Sequence, residues 1–386
     1  MTPAVLKKSG TPIASQGANG RRIPLSVLAL VPYLYDTAPG QRFRAEQWAK
    51  LLEPHGVRFE FVPFESPSLK KVLYHRGHYG RKMLELIRGA WRRGRILTAI
   101  QRQWDAILVH REALPIGPPV MERMLARCPI PLIYDFDDAV FLPDVSEANR
   151  RFWWLKSPQK TATICRLSDQ VIVGNDYLKR YALQFTSKVC VIPTTIDTEC
   201  YRPKASMEIR GTPIIGWSGS LTTSKHLRVI EPALQALRRS TPFRLKILGD
   251  PQMRMRGLEI ESREWVRQTE VEDLQSFDVG VMPLPDDAWA RGKCGLKLLQ
   301  YMALGIPAIA SPVGVNAEII QDGTNGFLAT TPEEWVEKLG ILLSQEAVRR
   351  RFAEAARQTV EERFAGARQA ARFLDVLQQV ARARFG

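Results

Sequence analysis

Four short stretches of this chain carry residue types that could do chemistry. Tyr134-Asp135-Phe136-Asp137-Asp138 closes an apolar run with three carboxylates. Carboxylates there can take a proton from a hydroxyl or face a centre gaining positive charge; equally, they could only cap the next helix. Gly292-Lys293-Cys294-Gly295-Leu296-Lys297 places a glycine-containing loop at the start of a helix. Free N–H groups and the positive dipole end would meet at 294–296, Lys293 and Lys297 would add charge, and a diphosphate would suit that corner. One turn on, Gln300 would present an amide to whatever extends from the phosphates. Ser218-Gly219-Ser220 with Lys225 is a second phosphate candidate, glycine allowing close backbone approach and lysine acting as a point charge. A strand-to-helix turn with a solvated lysine would read the same way. Pro39-Gly40-Gln41-Arg42 reads first as a turn before a helix.

These stretches need a scaffold that brings them together, and the apolar pattern supplies one. Near-continuous apolar runs at 25–31, 57–62, 105–109, 131–134, 170–173 and 188–192 alternate with helical segments. That is the pattern of a parallel sheet covered on both faces. A second series follows at 213–217, 243–248, 278–282 and 307–310. The fold class is therefore α/β, with two parallel sheets facing a cleft where strand ends and helix starts can meet a ligand. A polar, proline-containing stretch at 197–211 marks the linker. The division expected is a flexible tail at 1–20, a first domain at 21–205, a second at 206–365, and a last helix at 366–386 that could return to the first domain.

The chain has 386 residues, 45% hydrophobic and 25% charged, which excludes a disordered or collagen-like polymer. Its five cysteines are scattered with no CxxC pair, so neither a disulfide framework nor a zinc site is expected and a reducing compartment suits them. No early apolar run approaches the ~20 residues of a membrane span. The histidines at 55, 75, 78, 110 and 226 show no ligand spacing.

The net charge of +15 is unusual and predicts an anionic partner. Most of it lies in 66–104, where three Lys and seven Arg stand against the single acid Glu85. Apolar residues recur there at helical spacing. Arg81, Lys82, Arg88, Trp91, Arg92, Arg93 and Arg95 would form a basic, tryptophan-bearing helix suited to an anionic membrane interface, at ~1 kcal/mol per cation. RNA binding through phosphates and stacking, or a solvated helix packed on the sheet, are the other readings of the same composition.

The segment 292–328, with Gly-Ile-Pro-Ala-Ile-Ala-Ser-Pro-Val-Gly at 305–314 and Asp322-Gly-Thr-Asn-Gly-Phe-Leu328, resembles the signature of the family-4 retaining glycosyltransferases. Further matches follow in order: 168–175 resembles the family's strand ending at a small polar loop, 191–198 its interdomain signature, and 215–225 its second-domain phosphate loop. The resemblance implies the GT-B architecture, two Rossmann-like domains facing across a cleft. It also implies a nucleotide-diphosphate-sugar donor, with no metal and no cofactor beyond that co-substrate.

The residues carried over as donor-binding are Gly40, Arg42, Ser218, Gly219, Ser220, Lys225, Lys293, Gly295, Leu296, Lys297 and Gln300. Asp137 and Asp138 match a His-Asp pair near the reacting sugar carbon, one beside the anomeric centre or acceptor hydroxyl and the other its support. A saccharide or lipid-linked saccharide acceptor, envelope or exopolysaccharide assembly, and a cytoplasmic site on the inner membrane face without nucleic acid are the implied setting. Two departures stand out: Gly292 and Gln300 occupy positions where many members have glutamates. They leave open a non-catalytic GT-B binding or scaffold protein. Asp135-Phe136-Asp137 also matches a metal-binding DxD, a reading that the two-sheet organisation argues against.

Overall fold

The computed structural model describes residues 25–73, 75, 77–99, 104–143 and 156–385. The tail expected at 1–20 lies outside them. The first sheet comprises β1 (Leu25–Val31), β2 (Val57–Pro63), β3 (Ala106–His110), β4 (Leu132–Phe136), β5 (Gln170–Val173) and β6 (Val189–Val191). Their order is β2-β1-β3-β4-β5-β6, every pair parallel. The second comprises β7 (Ile214–Ser218), β8 (Arg244–Leu248), β9 (Ile260–Arg263), β10 (Val279–Met282), β11 (Ala308–Ala310) and β12 (Phe327–Leu328). Its order is β12-β11-β10-β7-β8-β9, again all parallel.

Strand order decides where a site can form. In each sheet the chain starts in the interior, builds one way and then the other, so connections leave neighbouring strands in opposite directions. β1 beside β3, and β7 beside β10, are these switch points, and a crevice opens at the carboxyl ends of such strands. β3 and β4 are buried at every residue, as a doubly covered strand requires. β9 and β12 are additions to the expected strands. β9 is a half-exposed edge strand reading Ile-Glu-Ser-Arg, and β12 has only two residues, so neither forms an apolar run.

The stretch between the sheets is less loose than its composition suggests. Ile196 and Tyr201 are buried in the second domain's core. Arg357, on helix Glu346–Arg363, donates to the carbonyls of Thr198, Tyr201 and Ala303 at 3.0, 2.6 and 2.8 Å. The last helix, Gly366–Phe385, then packs on the first sheet through Ala370, Phe373, Leu374 and Leu377. Phe373 stacks on Trp48 with ring centroids 4.6 Å apart. The chain thus crosses between the domains twice, which limits how far the cleft can open.

Phe373 is fully buried, so Phe373→Ala is expected to cost about 3–5 kcal/mol, measured by urea unfolding. A loss below about 1 kcal/mol would show that this helix is not a structural strap.

Candidate active site

The acidic cluster lies where β3 and β4 end side by side. Arg111, immediately after β3, adopts a left-handed backbone with φ 61°, and its N–H donates to the Asp135 carbonyl at 2.7 Å. A non-glycine residue in that region carries about 1–2 kcal/mol of strain, a cost that tends to persist only where the surroundings require it. Here it turns the guanidinium onto both aspartates: Nε lies 2.8 Å from Asp137 Oδ1 and Nη2 lies 2.6 Å from Asp138 Oδ2. Gly40 closes over this group. A Cβ at residue 40 would stand 2.4 Å from Asp137 Oδ2 and 2.6 Å from Arg111 Nη2, so no side chain has room.

Burial by itself would raise the Asp137 carboxyl, but Arg111 and then His110 outweigh it and hold the group well below the usual carboxylate range. Asp137 is therefore a fixed negative charge at neutral pH, better suited to facing positive charge than to accepting a proton. Behind it, Asp135 is fully buried between Arg44 and His110. Arg44 Nε reaches both its oxygens at 3.1 Å, Arg44 Nη2 makes a shorter contact, and His110 Nδ1 lies 2.7 Å away. Asp135 is thereby committed to its neighbours, which corrects the reading of Asp135 and Asp137 as a metal-binding pair. His110, given no role from its spacing, points Nε2 toward Asp137 Oδ1 at 3.9 Å.

The second domain meets this corner directly. Lys293 Nζ lies 3.0 Å from Asp138 Oδ1. Asn175 caps its own helix, its Oδ1 accepting from Leu178 N–H at 2.9 Å, and its Nδ2 donates to the carbonyls of Gly292 and Lys293 at 3.2 and 3.0 Å. Cys294 Sγ–H donates to the Asp137 carbonyl at 3.0 Å. A Cβ on Gly292 would stand 2.7 Å from Ala139 Cβ and 3.0 Å from its nitrogen. This explains the first departure from the family pattern: residue 292 packs against the first domain, with no space for a glutamate.

Beyond that contact lies the cationic corner. Helix Leu296–Ala303 begins after Gly295, and its first-turn N–H groups have no intrahelical partner. Lys297 is half-buried, lies over the Trp217 ring at 5.3 Å, and forms no ion pair among the described residues. Burial first, then Lys293, pulls its ammonium down to about 8. Lys225 is exposed and likewise in no ion pair among the described residues. Their field converges on buried His226, which burial and then Lys297, Lys293 and Lys225 push down to about 4.

The loop at 218–220 contributes differently from the expectation. Ser218 N–H donates to Tyr301 Oη at 3.0 Å, Gly219 N–H to the Leu248 carbonyl at 3.0 Å, and Ser220 N–H to Thr223 Oγ1 at 3.1 Å. These donors are occupied, so in this arrangement they do not hold a phosphate. Gly219 instead clears space: a Cβ there would stand 2.4 Å from Trp217 and 2.9 Å from Lys297 Cε.

Arg42 and Gln300 meet around a residue that the sequence reading passed over. Glu270 accepts from Arg42 Nη2 at 2.8 Å, Tyr201 Oη at 2.8 Å, Trp265 Nε1 at 3.0 Å and Gln300 Nε2 at 3.0 Å. Burial would raise this carboxyl, but its hydrogen bond and charge contact with Arg42 leave it lowered. Arg42 also pairs with Asp36 at 2.9 Å, and Asp36 in turn with Arg267 at 3.1 Å.

Comparison with known proteins places this geometry. Residues 212–345, about a third of the chain, match the family described as Glycosyl transferases group 1. The chain has a GT-B fold, and its second domain is similar to the group 1 glycosyl transferases. Spore coat protein SA of Bacillus subtilis (strain 168) is 24% identical over 277 residues, covering 63% of this chain and 73% of that protein. Among solved structures, the sucrose-phosphate synthase of Thermosynechococcus elongatus aligns with a TM-score of 0.66 at 15% identity, over 93% of this chain and 100% of that one. Anabaena Alr3699/HepE, solved in complex with UDP-glucose, gives 0.63 at 15% identity over 92% and 100%.

Within the GT-B fold the basic segment forms helix Tyr79–Ala99, on the first domain. Two of its cations do not face outward. Lys82 is buried, donating to the His75 carbonyl at 2.7 Å, and Arg93 is buried, donating to the Val31 carbonyl at 2.6 Å. Burial pulls Arg93 down to about 9. Helical spacing alone does not tell which cations turn inward, and these two lie on the face that packs on the domain. Arg81, Arg88, Arg92 and Arg95 remain exposed, Arg88 paired with Glu85 at 2.8 Å and Arg95 lying over Trp91 at 5.0 Å. Between them Tyr79, Met83, Leu84, Ile87 and Trp91 form an exposed apolar stripe, Trp91 at 63% exposure. No helix among the described residues is long and apolar enough to cross a membrane.

Removing Arg111 would leave two aspartates in a closed corner short of a cation. Arg111→Leu is expected to lower stability by about 3–5 kcal/mol at pH 7. Because Asp137 is depressed in the folded chain, its contribution is present above the ordinary carboxylate range and lost as pH falls through its lowered value. Without Arg111 to oppose it, burial raises the Asp137 carboxyl in the variant, so the group takes up a proton as pH falls, the penalty of its unpaired charge shrinks, and the two proteins should differ less at pH 4.5 than at pH 7. Urea unfolding at both values checks this; an equal difference at both would contradict the assignment.

Proposed function

We propose that the chain is a glycosyltransferase that moves a sugar from a nucleoside-diphosphate sugar to a saccharide or lipid-linked saccharide acceptor, with retention of anomeric configuration and without a metal ion. The observation that carries this reading is the cationic corner: Lys297, in the first turn of helix Leu296–Ala303 and within the field of Asp138, and exposed Lys225, whose field meets that of Lys297 at His226, form no ion pair among the described residues. The diphosphate would lie against these lysines and the first-turn N–H groups. As the bond from the sugar's anomeric carbon to the diphosphate oxygen breaks, the electron pair leaves with the diphosphate, where the lysines neutralise it in place of a divalent cation. Asp137 would face the positive charge that develops on the sugar. The acceptor oxygen then bonds the anomeric carbon, and its proton passes to the departing diphosphate. The Anabaena neighbour's complex with UDP-glucose supports uridine as the base to test first.

The exposed stripe on helix Tyr79–Ala99, with four arginines around it, supports docking of the first domain on an anionic membrane, at the cytoplasmic face in this reading. Assembly of envelope or exopolysaccharide is the setting that suits a soluble donor and a membrane-held acceptor. Nucleic acid is not a partner.

Calorimetric titration with UDP, GDP and ADP tests the donor assignment. One of them should bind, and Lys225→Ala with Lys297→Ala should weaken it by about 100-fold or more, since a hydrogen bond to a charged group contributes about 1.5–3 kcal/mol. Unchanged affinity in the double variant, or no binding to the wild type, would contradict it. Binding without turnover of any donor would favour the scaffold reading.

A further inference from the structure

Glu270 is a buried carboxylate whose partners are unequal. Tyr201, Trp265 and Gln300 all belong to the linker and second domain; Arg42 alone comes from the first domain. Arg42 reaches both oxygens, Nη2 to Oε2 at 2.8 Å and Nη1 to Oε1 at 3.4 Å, and its guanidinium lies over the Trp265 ring at 5.2 Å. It is also the partner that can leave at least cost, because Asp36 offers it a second carboxylate at 2.9 Å. With Arg42 turned to Asp36, Glu270 keeps three donors, one acceptor position opens on each oxygen, and one face of Trp265 is uncovered.

What could take those positions follows from the helix. Gln300 lies three residues after Lys297, on the same face of helix Leu296–Ala303 and about 4.5 Å further along it. A ligand whose diphosphate meets Lys297 and the first turn extends along that face to Gln300 and Glu270. Two adjacent hydroxyls can donate to a carboxylate with one bond to each oxygen, and a planar base can stack on an indole. Arg42 now occupies both places.

We propose that Glu270 recognises the ribose diol of the donor and that Arg42 is its intramolecular stand-in, so that nucleoside binding and release of the Arg42 contact between the domains are one event. This rests on the placement of the diphosphate at helix Leu296–Ala303. It assigns the carboxylate of the ribose site to Glu270, next to Gln300.

UDP and 2′,3′-dideoxy-UDP, titrated against wild type, Glu270→Gln and Arg42→Ala, test it, with a melting curve for each protein. The wild type should prefer UDP by about tenfold or more, the equivalent of about 1.4 kcal/mol. Glu270→Gln should lose that preference while binding the dideoxy compound as before, and Arg42→Ala should bind UDP more tightly than wild type. UDP binding by Arg42→Ala where wild type shows none also supports the stand-in role. Retained ribose preference in folded Glu270→Gln, or weaker UDP binding by folded Arg42→Ala, overturns this inference alone. Absence of UDP binding by both wild type and Arg42→Ala overturns it together with uridine as the donor base. Arg42→Ala keeps the inference falsifiable should Glu270→Gln not fold.

Discussion

Two aspartates cannot share a closed corner unless cations stand against both, and much of the cleft follows from that requirement. Arg111 meets it from within the first domain, at the cost of a left-handed backbone; Lys293 meets it from the second. The ion pair from Lys293 brings residues 292–294 onto the ends of β4 and β5, where Gly292 and Ala139 touch. Only a residue without a side chain could make that approach. The missing glutamate at 292 is thus a consequence of how tightly the domains meet.

Charge is matched on one side of this contact and unmatched on the other. Asp137 and Asp138 have their cations; Lys225 and Lys297 form no ion pair among the described residues, and burial, followed by the field of Lys297, Lys293 and Lys225, holds the His226 ring low. In the proposed function this cationic corner, beside helix N–H groups and across from a fixed carboxylate, takes the diphosphate of the donor. The net charge of +15 therefore has parts with different work to do. Exposed arginines on helix Tyr79–Ala99 surround an apolar stripe, buried Arg93 and Lys82 hold that helix to its domain, and Lys293 of the second domain reaches Asp138 across the cleft.

The strand ends were legible because a parallel strand covered on both faces is an apolar run with a polar stop, and Tyr134-Asp135-Phe136-Asp137-Asp138 is one. The same form closes β3 with His110 and Arg111, but their part in the site depends on β3 lying beside β4, a pairing that no local pattern encodes. Glu270 stands in an acidic stretch that reads as ordinary helix-start charge; the packing of the second domain brings it to Gln300, and only the closed cleft joins it to Arg42. The occupied N–H groups of Ser218, Gly219 and Ser220 were equally illegible, since their acceptors come from Tyr301, Leu248 and Thr223.

The central claim is that an anion completes the corner formed by Lys225, Lys293 and Lys297, and His226 reports on it without any turnover. Proton NMR titration of the His226 ring, free and saturated with the nucleoside diphosphate that binds, measures the field directly. The ring should titrate near 4 in the free chain. A bound diphosphate opposes the three lysines and favours the protonated ring, so the midpoint should rise, by about one unit for each 1.36 kcal/mol of new interaction. A midpoint that does not move at saturation would contradict the account, because the ligand would then lie elsewhere.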